Sequence, residues 1–273
     1  KLVVVDNLSR GTKDLLPASI PLVVGDVGDT TLIRQVIKRY KINSVVHLAG
    51  SIVVPDSVTF PLEYYQNNVE NSRRLIKTCI ESKVNNFVFA STAAVYGSSN
   101  TGLLDEKSVT YPISPYGKTK LDDEFLAEKY SKLGVNIIGL RYFNIFGKGQ
   151  TLEYAGVITK FLNRLRDRKS PIIFGTGSQI RDFIHVEDIA NANFLAMTSK
   201  VSNSHVNIGT GTSISILELA NMMIEESGLD LEPIMSKSLE GDIAKSQADI
   251  TLAKKQFGWE PKLQLRDWLK EIL

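Results

Sequence analysis

The chain has 273 residues, 43% apolar and 23% charged, enough to bury one large core or a main domain with a smaller one beside it. Its net charge is +2 with acids and bases interspersed, which leaves no electrostatic case for nucleic acid or an anionic membrane surface as partner. One cysteine, Cys79, excludes an intrachain disulfide and fits a reducing compartment, and no apolar run approaches the roughly 18 residues of a membrane span, so the cytoplasm is the expected location.

Lys1-Leu2-Val3-Val4-Val5-Asp6 is already a buried-strand pattern with no turn before it, so the sequence is expected to open inside a domain. Short β-branched runs then alternate with helical patterns. Strands are predicted over 2–5, 21–24, 44–48, 87–90 and 136–140, and helices over 30–40, 61–82 and 114–133. Continuous apolar strands separated by helices predict an α/β fold, a Rossmann-like doubly wound parallel sheet that takes its ligands at the carboxyl ends of the strands. Beyond residue 145 the pattern loosens into helices over 155–168, 186–198 and 215–227 with short strands between, one of them at Pro171-Ile172-Ile173-Phe174. No low-complexity linker intervenes, so a first domain over 1–145 and a smaller C-terminal α/β region over 146–273, packed against it, are expected.

Several polar residues fall at predicted strand ends. Asp6 closes the first strand before Asn7; an acid there can accept both hydroxyls of an adenosine ribose, while a turn aspartate is the plainer alternative. Asp26-Val27 closes the second strand, and His47-Leu48-Ala49-Gly50 the third, where Gly50 allows close backbone approach to a ligand. His47 lies within an apolar strand and reads as a buried structural histidine. Thr92 ends the fourth strand. Farther on, Tyr116-Gly117-Lys118-Thr119-Lys120 puts a phenol and an ammonium on one helical face, where the cation favours the phenolate of a group that ordinarily ionises near about pH 10. A hydroxyl, a phenol and an ammonium together could work around one sugar ring. Tyr-x-x-x-Lys alone is a weak signal, and its weight comes from context.

The context is an ordered series: Val-Asp-Asn-Leu-Ser-Arg-Gly at 5–11, Gly-Asp-Val at 25–27, His-Leu-Ala-Gly at 47–50, Tyr-Tyr-Gln-Asn-Asn-Val at 64–69, Ser-Thr-Ala-Ala-Val-Tyr-Gly at 91–97, Ser-Pro-Tyr-Gly-Lys-Thr-Lys at 114–120, Arg-Tyr-Phe-Asn-Ile-Phe-Gly at 141–147 and Arg-Asp-Phe-Ile-His-Val-Glu-Asp at 181–188. With these motifs the chain resembles an extended short-chain dehydrogenase/reductase of the NAD-dependent nucleotide-sugar epimerase/dehydratase family, and within it the UDP-hexose 4-epimerases. The resemblance runs almost end to end. It implies an enzyme with NAD as cofactor, a UDP-sugar as substrate, no metal, and a homodimer built on the helices over 61–82 and 114–133. By position it implies that Asp6, Asn7, Asp26 and Val27 meet the adenosine of NAD, that Leu48, Ala49 and Gly50 form the wall under the cofactor, and that Asn67 contacts it. Thr92 takes the place of the catalytic Ser/Thr, Tyr116 that of the base, Lys120 holds the nicotinamide ribose, and Phe143 lines the nicotinamide pocket. Asn144, Ile172, Phe174 and Asp242 face the nucleotide sugar, Arg181 holds its diphosphate, and Ser246 lies against the C2 substituent, where its small size leaves room for an N-acetyl group.

In such an enzyme Tyr116 takes the proton of the sugar 4-hydroxyl while NAD accepts the C4 hydride and later returns it to the other face. A 4,6-dehydratase of the family would carry Asp-Glu after Thr92; Ala93 and Ala94 stand there, which removes the proton carriers of an elimination. A nucleotide-sugar reductase and a non-catalytic binding relative stay open, although intact Thr92, Tyr116 and Lys120 speak against the second. Two features depart from the family. Its opening strand, Gly-x-x-Gly-x-x-Gly turn and helix, about 30 residues, are expected upstream of Lys1. Leu239 stands two residues before Gly241 where relatives place an arginine, which leaves Arg181 as the main cation for the diphosphate.

Overall fold

The computed structural model describes residues 2–98, 102–150, 156–201, 203–238 and 243–273. The first stretch runs β1 (Val4–Asp6), β2 (Leu22–Val24), α1 (Thr30–Tyr40), β3 (Ser44–His47), α2 (Val54–Thr59), α3 (Pro61–Tyr64), a π-helical turn (Tyr65–Glu70), α4 (Asn71–Glu81), β4 (Asn86–Thr92), α5 (Pro115–Ser131) and β5 (Asn136–Tyr142). The rest comprises β6 (Asn144–Phe146), α6 (Val157–Arg166), β7 (Ile172–Phe174), β8 (Ile180–Arg181), β9 (Phe183–His185), α7 (Val186–Thr198), β10 (Ser204–Ile208), β11 (Ile214–Ser215), α8 (Ile216–Ser227), β12 (Ile234–Ser236), β13 (Lys245–Ser246), α9 (Thr251–Phe257) and α10 (Leu265–Ile272).

Helices separate β2 from β3, β3 from β4 and β4 from β5, and the strand pairs β1–β2 and β3–β4 are parallel, with Val5 opposite Val23 and Val46 opposite Val88. A four-stranded sheet has the order β10-β5-β4-β3. This is the doubly wound α/β architecture that alternating apolar strands and helices predict. Compactness divides the chain into one unit made of 1–91, 114–140 and 196–205 and another made of 92–113, 141–195 and 206–273. Each has its own core: Ile33, Ile37, Leu75, Phe87, Phe89 and Ile137 are among the buried residues of the first, and Phe161, Ile173, Leu219, Met223 and Leu269 among those of the second.

Local chemistry sets the elements that matter for the site. The Asp29 carboxylate caps α1 by accepting from the backbone N–H groups of Thr31 and Leu32, both at 3.0 Å, and Ile33, Val36 and Ile37 recur at the spacing that buries one helical stripe. Ser114 caps α5, its hydroxyl accepting from Gly117 N–H at 3.1 Å, with Pro115 in the first turn where its missing N–H is harmless. The segment predicted as one helix over 61–82 contains the π-turn, a single extra residue per turn that frequently accompanies function. In the second unit, Trp259 donates its indole N–H to Asp188 O at 3.1 Å, and the Asp188 carboxylate accepts from Lys262 and Leu263 N–H. These bonds pin the segment around Trp259 to the first turn of α7.

Candidate active site

The first unit places the predicted residues of β1 to β3 at strand carboxyl ends. Asp6 ends β1, with Oδ1 accepting from Leu8 N–H at 2.7 Å; a Cβ on Gly11 would stand 3.1 Å from its Oδ2. Asp26 follows β2, accepting from Gly28 N–H at 2.7 Å and from the side chains of Asn71 at 3.1 Å and Asn7 at 3.2 Å. Asn7 is therefore tied to Asp26, and Val27 packs against the first core. After β3, Leu48 is 58% exposed, an apolar side chain left in solvent at the sheet's ligand end, followed by Ala49 and Gly50.

A buried polar cluster lies beyond Gly50. Asn68, fully buried in the π-turn, donates to Ser51 O at 2.9 Å and to Thr119 Oγ1 at 3.1 Å, and accepts from Ser51 N–H at 2.8 Å. Asn67 is half-buried and donates to Ser51 Oγ at 3.2 Å. The fully committed residue of this pair is thus Asn68, which sequence reasoning passed over. Two adjacent asparagines give no sign of which one turns inward, and the π-turn that decides it has no sequence signature. His47 meets Ser72 Oγ at 2.9 Å, and burial, with the Lys120 charge adding to it, drives its imidazole down to about 3. It is the neutral structural histidine expected.

On α5, Tyr116 is partly exposed and Lys120 only 5% exposed, one helical turn apart on the same face. Lys120 Nζ pairs with Asp123 Oδ2 at 3.4 Å, and a Cβ on Gly50 would stand 3.3 Å from the same nitrogen. Gly50 is small because the ammonium sits above it. Side chains alternate along β4: the buried Ser91 donates to Glu124 Oε1 at 2.6 Å, and the next residue, Thr92, is half-buried, with Oγ1 accepting from Ala94 N–H at 3.2 Å.

In the second unit a buried network absorbs Tyr96 and Arg141, both from the quoted motifs. Tyr96 donates to Asn207 Oδ1 at 2.6 Å and accepts from Arg141 Nη1 at 2.9 Å, while burial pushes its phenol up to about 12. That tyrosine is structural. Phe143 is buried, with its N–H on Ile208 O at 3.0 Å, and Asn144 donates its side-chain amide to Asp182 O at 3.0 Å. Ile172 is half-buried and Phe174 is exposed on β7, which pairs in parallel with β12. Arg181 lies opposite Ser246 in the β8–β13 pair and donates from Nη1 to Ile180 O at 2.9 Å and Ile243 O at 2.6 Å; Ser246 is 7% exposed. Arg181 also lines a cleft of 190 Å³ with Phe183, Thr210 and Arg266. Asp242, with Leu239 and Gly241, lies outside the described residues. Asp182 is the residue the motif hid. Fully buried, it accepts from Thr210 N–H at 2.8 Å, Thr210 Oγ1 at 2.6 Å, Gly211 N–H at 3.0 Å and Ala248 N–H at 3.2 Å, so that it holds three segments together beside Arg181.

The family model described as "NAD dependent epimerase/dehydratase family" matches residues 1–209. The chain belongs to this family. It is 36% identical over 278 residues to a UDP-glucose 4-epimerase of Azospirillum brasilense, covering 95% of this chain and 80% of that one. Among solved structures, the UDP-glucose 4-epimerase of Thermotoga maritima with UDP-glucose superposes with a TM-score of 0.95 at 33% identity, covering 99% of this chain and 88% of that one. The UDP-N-acetylglucosamine 4-epimerase of Methanobrevibacter ruminantium, in complex with UDP-N-acetylmuramic acid, gives 0.92 at 31% identity with coverages of 99% and 88%. Family members are NAD-dependent, and the residues here fit that cofactor. Carboxylates end β1 and are found just after β2, Leu48 is a solvent-facing apolar platform, and Gly50 is a cradle that a Cβ would crowd. Among the described residues no cluster of His, Cys, Asp or Glu could hold a metal, and no helix is long and apolar enough to cross a membrane.

Proposed function

We propose that the protein is a nucleotide-sugar 4-epimerase, an isomerase that inverts C4 of a UDP-hexose, with Tyr116 as the base. The observation that carries this reading is the Tyr116–Lys120 pair on α5, with its cation buried beside Gly50 at the sheet's ligand end. When bound, NAD supplies a hydride acceptor that returns the hydride to the sugar. The chain's own residues do the rest. Asp6, Asn7, Asp26, Val27, Leu48, Ala49, Gly50, Asn67 and Phe143 hold the cofactor, and Lys120 holds its nicotinamide ribose and favours the Tyr116 phenolate. Tyr116 takes the proton from the 4-hydroxyl and gives it back, and Thr92 donates a hydrogen bond to the same oxygen. Arg181 grips the diphosphate with a fork suited to two anionic oxygens, and Asn144, Ile172, Phe174, Asp242 and Ser246 line the sugar and base. Residues 1–145 thus carry the cofactor, with Thr92, Tyr116 and Asn144 reaching the sugar, and 146–273 carry the rest of the substrate.

Ala93 and Ala94 disfavour a 4,6-dehydratase, since neither can carry a proton. Action as a cytoplasmic homodimer is part of the proposal, supported by Leu62 at 82% and Phe125 at 55% exposure on the helices expected to pair. The test is to incubate the NAD-loaded protein with UDP-galactose. Appearance of UDP-glucose without net NADH supports the epimerase, whereas stoichiometric NADH release would make it an oxidoreductase.

A further inference from the structure

The buried acid beside Lys120 has no part in the reaction above. Asp123 is 2% exposed and Lys120 5%, and they meet at 3.4 Å between Oδ2 and Nζ. The other carboxylate oxygen, Oδ1, has no hydrogen-bond partner among the described residues. A half-satisfied buried carboxylate is expensive, and an apolar residue at this helix position would pack with less penalty, so stability alone does not account for an acid here. Helix geometry gives it a role: Tyr116 lies one turn before Lys120 and Asp123 one turn after it, so along one face of α5 the lysine falls between a tyrosine and the aspartate it pairs with.

We propose that Asp123 is a positioning residue of this centre, whose carboxylate anchors the Lys120 ammonium and withholds part of its field from Tyr116. The proposal rests on the reading of Tyr116 as base and Lys120 as its cation. The groups facing the pair leave this interaction as the one that titrates. From β3, His47 is held neutral, its imidazole driven down to about 3. From α4 comes the Ser72 hydroxyl, which donates to Asn68 O, and from the π-turn the Asn68 amide. On α5 itself, Glu124 turns away to Ser91 Oγ and toward His205 Nδ1 at 3.9 Å, and Asp122, raised by burial, is the other acid near Asp123. Burial pushes Asp123 up to about 6 against the pull of Lys120 and Ser72. Above that pH its carboxylate shares the ammonium with Tyr116; below it the ammonium acts on Tyr116 alone.

The test is the acidic limb of the kcat/KM profile of the NAD-loaded enzyme, together with the ultraviolet tyrosinate titration of Tyr116, read as the difference from Tyr116→Phe. Asp123→Asn should move both to lower pH by about one unit, as expected for removing one charge about two helical turns away in a partly screened site. Asp123→Glu should restore the parental limb, and on a Lys120→Met background Asp123→Asn should move nothing, because the route through the ammonium is gone. A limb that stays put in Asp123→Asn, or one that moves equally on the Lys120→Met background, would overturn the proposal. If Asp123→Asn does not fold, Asp123→Val removes the charge and the orphan oxygen together and is read in the same way. Full activity of Tyr116→Phe would instead overturn the reading of the site itself; an inactive Tyr116→Phe with an unmoved Asp123→Asn limb would overturn this inference alone.

Discussion

Asp182→Asn probes how the substrate side is held together. Each carboxylate oxygen accepts two hydrogen bonds: Oδ1 from Thr210 N–H and Oγ1, Oδ2 from Gly211 N–H at 3.0 Å and Ala248 N–H at 3.2 Å. An amide keeps the shape but can offer an oxygen to only one of these pairs. Its better orientation keeps the oxygen on Gly211 and Ala248 N–H and turns the NH2 group to Thr210, whose hydroxyl can accept from it and donate to Thr212 O instead, so that Thr210 N–H is the donor left without an acceptor, in a site where Asp182 is 0% exposed. One buried donor without an acceptor, at about 1–3 kcal/mol, predicts a loss of that size, a sizeable part of the roughly 5–15 kcal/mol that holds a domain together. The urea midpoint of the NAD-free protein reads this directly, and the denaturant slope should be unchanged because the folded surface is the same. KM for the UDP-sugar should rise as well, since Asp182 ties Thr210, Gly211 and Ala248 beside Arg181. A loss below about 1 kcal/mol would refute the reasoning and mean that the displaced donor finds water or a new acceptor.

Arg181→Ala should raise KM for a UDP-sugar far more than it lowers kcat, because a diphosphate is gripped equally in ground and transition states; KM within about twofold of the parent would reduce Arg181 to a brace for Ile243 O. Ser246→Tyr puts a large ring at a 7% exposed position and should depress kcat/KM for UDP-N-acetylglucosamine at least tenfold while sparing UDP-glucose, given overpacking of roughly 1–3 kcal/mol; equal loss on both would sink the C2-pocket assignment. The Asp123 carboxyl stands near about 6 in the folded chain against an ordinary 3.8, so the folded state binds the extra proton between these values and the parent loses stability as pH rises through them. Asp123→Asn lacks that loss. Its stability relative to the parent should therefore climb between these two pH values by on the order of 3 kcal/mol in urea denaturation, and a flat difference would contradict the burial of a titrating acid there.

The regular elements were legible because their causes are local. Asp29 and Ser114 cap α1 and α5 by bonds to residues two or three positions on, and the Ile33-Val36-Ile37 stripe of α1 lies within the same eleven residues. The two longest strands outran their predicted ends because Asn86, Ser91 and Arg141, polar in sequence, find partners such as Glu124 and Tyr96. Helices α2, α9 and α10, of six to eight residues, are too short for periodicity to separate from turn. At the site, residues at strand ends could be named because strand ends are where such sheets bind ligands. Asn68 and Asp182 could not, since their roles rest on partners distant in sequence or on a π-turn, and Asp123, three residues from its partner Lys120, could not because a buried acid in a polar stretch looks like any solvated one. Tyr96 and Tyr116 show the same limit from the other side: both are motif tyrosines, and only burial separates the structural phenol from the one left at the surface of its helix.

The most direct measurement is the C4 epimer ratio of a UDP-hexose followed over time with the NAD-loaded Tyr116→Phe protein and its parent. Only the titrating hydroxyl is removed, so the account predicts nucleotide-sugar binding close to that of the parent and kcat lowered by about 10²–10⁴-fold, the contribution of a positioned base. Retention of more than about a tenth of the parental kcat by Tyr116→Phe would contradict Tyr116 as the group that moves the 4-hydroxyl proton.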